Sequence, residues 1–85
     1  MEVYYLKTGV KATFVGNSKD LAVYCEAGSN VIIQGQLGNF WAAGSVTLGG
    51  NINCNGSMNL GGLPPGINPQ NFQAKQVQNG AIINL

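Results

Sequence analysis

The sequence predicts an all-β fold, with short strands in a winding repeat region and antiparallel hairpins on either side. Two observations carry this. Residues 45–62 read Ser-Val-Thr-Leu-Gly-Gly, Asn-Ile-Asn-Cys-Asn-Gly and Ser-Met-Asn-Leu-Gly-Gly, three hexads in which polar and apolar residues alternate before two turn formers. Their apolar members Val46, Leu48, Ile52, Cys54, Met58 and Leu60 share one parity, so a chain that stays extended points them all to one face. The second observation is that the flanks carry β-prone runs separated by turn residues, and no helix of consequence is expected.

Three segments follow in order. Residues 1–29 form an N-terminal β-strand module, with Val3-Tyr4-Tyr5-Leu6 and Val10-Lys11-Ala12-Thr13-Phe14-Val15 around Lys7-Thr8-Gly9. A polar turn over Gly16-Asn17-Ser18-Lys19-Asp20 leads to a third strand, Leu21-Ala22-Val23-Tyr24-Cys25. An antiparallel sheet is the simplest arrangement of the three.

Residues 30–62 form the Gly/Asn-rich stalk, which starts before its clean hexads at Asn30-Val31-Ile32-Ile33-Gln34-Gly35. The stretch from Gln36 to Gly44 reads as a degenerate or inserted repeat and holds the tandem Phe40-Trp41. Two readings attach to that tandem. Paired aromatics beside Gln34, Gln36 and Asn39 suit stacking on a sugar ring, whereas a large aromatic such as Trp41 also plugs cores and oligomer interfaces. The interface reading is the stronger.

Residues 63–85 leave the repeat through Leu63-Pro64-Pro65-Gly66-Ile67-Asn68-Pro69. Three prolines fix φ and remove donors, so this connector lies outside any sheet interior. Beyond it, Phe72–Gln78 and Ala81–Leu85 flank Asn79-Gly80, a strong two-residue hairpin signal. A C-terminal hairpin is expected there.

Parity constrains how the hexads fold. With Gly49-Gly50 and Asn55-Gly56 as two-residue hairpin turns, Leu48 would lie opposite Asn51 and each sheet face would mix core and solvent residues. Three-residue loops repair the faces but leave a middle strand of Ile52-Asn53-Cys54, shorter than usual. A strand that bends at each Gly pair keeps every apolar side chain inward. Its edges must then be paired by other turns or other copies, as in a β-solenoid or an intertwined oligomer.

Runs such as SVTLGGNINCNGSMNLGG resemble the repeats in fibre and spike proteins of tailed bacteriophages, in which three chains wind as a β-helix or β-prism. The resemblance covers about residues 30–62. It implies an intertwined homotrimer and a structural virion protein, made in the host cytoplasm, that serves as fibre, spike, or baseplate or capsid decoration. Other virion proteins would be its partners, and a host surface glycan is the alternative ligand. In such a trimer Val46, Leu48, Ile52, Cys54, Met58 and Leu60 would line the common core. A non-viral, self-assembling β-solenoid is the third reading.

Composition agrees with assembly. A monomer of this size buries only about 60% of its unfolded surface, and 13 Gly among 85 residues add backbone entropy that folding must overcome. From Ala27 onward Lys75 is the sole charged residue, against about 25% charged residues in ordinary domains. Freely exposed, so neutral a surface would be poorly soluble. The absence of Arg and a net charge of +1 argue against nucleic-acid binding. Neither a secretory signal nor a membrane span is expected.

Few residues could carry chemistry. There is no His, and Glu2, Asp20 and Glu26 are the acids, so neither a catalytic triad nor a His metal site can be built. Asp20 and Glu26 lack the signs of a surrounding glycosidase cleft, and the Gly pairs lack the Lys-Ser/Thr of a phosphate loop. No enzymatic activity and no cofactor are expected. Cys25 and Cys54 stand too far apart for a C-x-x-C site and are read as small buried apolar residues.

Overall fold

The computed structural model describes residues 3–67 and 74–85. Its strands are β1 (Val3–Leu6), β2 (Lys11–Val15), β3 (Ser18–Cys54), β4 (Met58–Leu60), β5 (Lys75–Val77) and β6 (Ala81–Asn84), with no helix among the described residues. The pairing is parallel throughout: β1 and β2 with β3, β3 with β4, β1 with β5 and β2 with β6. Parallel strands ordinarily need a long crossover between them. Here the chain winds continuously, and each coil lies on the one before.

The register gives the size of a coil. Val3 faces Ala22 and Lys11 faces Asn30, nineteen positions on in both cases; Phe40 faces Met58, eighteen positions on. Three hexads therefore make one coil. β3 is long because it passes round the corners without losing its pairing, and it bends at Gly28 and Gly44, whose φ values of 76° and 83° suit glycine alone.

Each coil has three faces. The first carries β1, residues 22–25 and 40–42, and β4; the second carries β2 and residues 30–34. On the third, Leu37 O accepts from Asn55 N at 2.9 Å, and Gly38 lies against Lys19 so closely that a Cβ would stand 2.3 Å from the Lys19 carbonyl oxygen. Asparagine side chains tie successive coils near the corners: Lys11 N donates to Asn79 Oδ1, Gln36 N to Asn17 Oδ1 and Ser57 N to Asn39 Oδ1, at 3.0, 3.0 and 2.9 Å.

The core fills the space between the faces. Leu6, Phe14, Leu21, Val23, Cys25, Val31, Ile33, Leu37 and Phe40 are fully buried in one cluster, and Tyr4 meets Phe14 edge to face with ring centroids 5.1 Å apart. These residues alternate with outward ones on each face, which is the strand period of two applied to a wound sheet.

The antiparallel hairpins expected at both ends do not form. β1 and β2 run parallel to β3, and β5 and β6 pair with β1 and β2, not with one another. Asn79-Gly80 does make a turn, closed by Ala81 N donating to Gln78 O at 3.1 Å with Gly80 at φ 83°. That turn carries the chain round a corner of the solenoid. The physical reason is core coverage: as a coil, Val77 lies beneath Leu6 and Ile83 beneath Phe14, sealing the cluster from below. The expected polar turn over 16–20 is shorter, since β3 already begins at Ser18.

The connector joins the two ends of the stack. Leu60 pairs with Ala42 at one end of the stack and Lys75 with Tyr4 at the other. Residues 61–67 lie outside the strands, as expected of a Pro-rich segment, and Pro64 is buried; Pro69, Phe72 and Gln73 lie outside the described residues. Val3, Ala22 and Ala43 are buried yet absent from the core cluster. They alternate with the inward residues of the first face.

Candidate functional site

The hexad residues divide along the stack. Val46, Leu48, Ile52 and Cys54 are half-buried and pack against this chain's own core. Met58 and Leu60, on β4, are 44% and 59% exposed. Cys54 Sγ lies 3.3 Å from Gly38 O and 3.5 Å from Ser57 O, near enough for weak hydrogen bonds. Cys25 and Cys54 are both free thiols. Burial pushes the Cys25 thiol above its ordinary pKa, with Ser29 acting weakly the other way.

The Phe40-Trp41 tandem is split between inside and outside. Phe40 is fully buried in the core, while Trp41 is half-buried between it and the inward Ala42. Only Trp41 can therefore offer a ring to a ligand. Its companions on the same outward face are residues that sequence reasoning did not pair: Tyr5 and Tyr24, opposite one another in the parallel register, stack with centroids 5.3 Å apart and planes at 22°. Their nineteen-residue spacing, repeated by Leu6 and Cys25, was the signal that could have found them.

Glu26 closes the corner beside this pair. Its Oε2 accepts from the Tyr5 hydroxyl, and its Oε1 accepts from Thr8 N at 3.0 Å and Thr8 Oγ1 at 3.1 Å. Its backbone carbonyl accepts from Ser29 Oγ at 2.7 Å. The hydrogen bond from Tyr5 is the leading cause that lowers the Glu26 pKa, followed by that from Thr8 N. Conversely, the same bond to a carboxylate pushes the Tyr5 hydroxyl up to about 12. A carboxylate that already holds three donors is committed to fixing two coils together and is poorly placed to move protons.

Asp20 is bound into a separate network. Its Oδ1 accepts from Asn39 Nδ2 at 3.0 Å, and Asn39 in turn accepts from Ser57 N, so the chain of bonds runs through three coils. Among the described residues no three His, Cys, Asp or Glu side chains gather as a metal site would require. No helix among them is long and apolar enough to cross a membrane. The arrangement offers a stacked pair, Tyr5 and Tyr24, with Trp41 elsewhere on the same outer face, and two ends at which the ladder of the described residues stops.

Comparison with protein-family models, curated proteins and solved structures yields no match.

Proposed function

We propose that this chain is a non-enzymatic structural protein of a tailed-phage particle, working as part of a fibre, spike, or baseplate or capsid decoration. The observation that carries the reading is the hexad run of residues 45–62, whose inward side chains Val46, Leu48, Ile52 and Cys54 continue the core of a stack of parallel coils. In such a stack each coil contacts only its neighbours, so further coils or copies extend it along one axis. The carboxylates Asp20 and Glu26 are spent on coil-to-coil bonds, in keeping with a mechanical role. Association with other copies and with other virion proteins belongs to the same proposal; the homotrimer implied by the resemblance and the open stack argued below are its competing forms, which sedimentation tells apart.

An antibody raised against the chain tests this directly. It should decorate a discrete structure on purified particles in immunogold electron microscopy. Particles without label, with the protein left in the soluble fraction of the lysate, would refute it.

A second reading has its own support. The stacked Tyr5 and Tyr24, with Trp41 on the same outer face, present flat apolar surfaces of the kind on which sugar rings stack, and a bacterial surface glycan is the ligand they suit. Under this reading Trp41→Ala abolishes adhesion to host cells without changing the melting temperature. Loss of stability with adhesion intact would speak against it.

A further inference from the structure

We infer that the two ends of the solenoid bind each other, so that a second copy of this chain stacks head to tail on the first with its strands parallel. The large hydrophobic side chains left exposed among the described residues are Met58, Leu60 and Ile82, at 44%, 59% and 68% exposure. All three lie at the ends of the stack, on β4 and β6. There the coils also present half-buried apolar residues at strand edges that no further strand among the described residues covers: Val46, Leu48, Ile52 and Cys54 above, Ala81 and Ile83 below. Uncovered edges of this kind invite strand addition.

The spacing of the side chains selects the occupant. Inward positions on the upper edge fall at Val46, Leu48, Ile52 and Cys54, in steps of two, four and two. On the lower edge the residues beneath Tyr4, Leu6, Ala12 and Phe14 are Lys75, Val77, Ala81 and Ile83, again in steps of two, four and two. The two edges therefore share one period and one strand sense. Each can serve as the next coil of the other.

Heights agree as well. β4 adds a strand to the first face of the upper end, so the second and third faces there stand one strand lower and level with each other. At the lower end β5 and β6 likewise occupy two adjacent faces of one coil. A copy turned by one face seats β5 on residues 46–49 and β6 on residues 52–54, bringing Val77 over Leu48, Ala81 over Ile52 and Ile83 over Cys54. This continues the coil-on-coil interface already repeated within the chain. Residues 44–60 carry no charge, so the charged side chain that β5 and β6 bring to the upper edge is Lys75, which the register sets over Val46.

A contact of this kind is heterologous: the surfaces that meet are different, and each copy keeps one free end, so the assembly grows instead of closing. It requires only the fold, whatever particle the chain belongs to.

Two experiments on the full chain test it. Cys54 and position 83 lie on opposite edges of one chain, three strand spacings of about 4.8 Å apart, far beyond the roughly 7 Å limit for a disulfide. Ile83→Cys under mild oxidation should therefore yield a ladder of covalent multimers, whereas the unsubstituted chain yields none. A product that is only monomeric overturns the inference. In the second, Leu48→Lys blocks the upper edge and Ile83→Lys the lower; each should sediment as a monomer, and their mixture should give a one-to-one dimer, doubling the mass. A closed trimer that persists in both variants, with circular dichroism unchanged, also overturns it. Should a Lys variant fail to fold, the thiol experiment decides alone.

Discussion

Tyr5 and Glu26 stand 21 positions apart in sequence, yet the Tyr5 hydroxyl donates to Glu26 Oε2 across adjacent coils. The bond ties the outer tyrosine pair to the corner at Thr8, and it opposes ionisation of Tyr5 while favouring that of Glu26. The bond therefore makes stability depend on pH in both the acid and the alkaline range.

At high pH, Tyr5 holds its proton in the folded chain up to about 12, against an ordinary value of 10.0. The folded state binds more protons than the unfolded one in that interval, so stability falls as pH rises through it. At low pH the sign reverses. Glu26 has a lowered pKa when folded, so its contribution is present above the ordinary carboxylate value and is lost as pH falls through the folded one. Melting temperature measured against pH should show both arms, and Tyr5→Phe should remove the alkaline arm and shift the Glu26 titration upward by NMR.

Close approach between coils makes a second prediction. A Cβ on Gly35 would lie 1.7 Å from the Gly16 carbonyl oxygen, whereas one on Gly62 meets nothing within 4 Å. Gly35→Ala should force the coils apart and cost about 1–3 kcal/mol or more. Gly62→Ala should stay within about 0.5 kcal/mol. Urea denaturation of the two variants checks the contrast.

The aromatic tandem gives a third. Phe40 is fully buried and Trp41 half-buried. Phe40→Ala should cost about 3–5 kcal/mol, and Trp41→Ala clearly less. Equal losses in thermal denaturation would mean that the outer face is as well packed as the core.

Thiol reactivity gives a fourth. Cys25 is 1% exposed with its pKa raised by burial, and should react with a thiol reagent only on unfolding. Cys54, half-buried at the upper edge, should react in the isolated chain and become protected as protein concentration increases and copies stack. Mass spectrometry of the labelled protein across a dilution series reads both sites.

The residues that were legible in the sequence are those governed by local alternation. The shared parity of Val46, Leu48, Ile52 and Cys54 does place them on the inward side, and the Pro-rich segment through Ile67 does lie outside the strands. Pairing partners were not legible locally. Asn79-Gly80 needs a residue at positive φ whether the chain reverses or merely turns a corner, so the dipeptide cannot tell a hairpin from a solenoid bend. What decided it was the apolar cluster left open beneath Leu6 and Phe14, which Val77 and Ile83 cover from some seventy positions away. Likewise the outer pair Tyr5 and Tyr24 emerges only when three hexads are summed to one coil.

The winding of the C-terminal segment beneath the N-terminal one tests the fold most directly. Thr13 and Ile82 are neighbours in the parallel register of β2 and β6, about 4.8 Å apart, which is within the span of a disulfide. In a hairpin closed by Asn79-Gly80, Ile82 would instead face Val77. With Cys54 replaced by Ala, the double variant Thr13→Cys/Ile82→Cys should close an intrachain disulfide at high dilution while Val77→Cys/Ile82→Cys stays reduced. Closure of the second pair and not the first would contradict the solenoid.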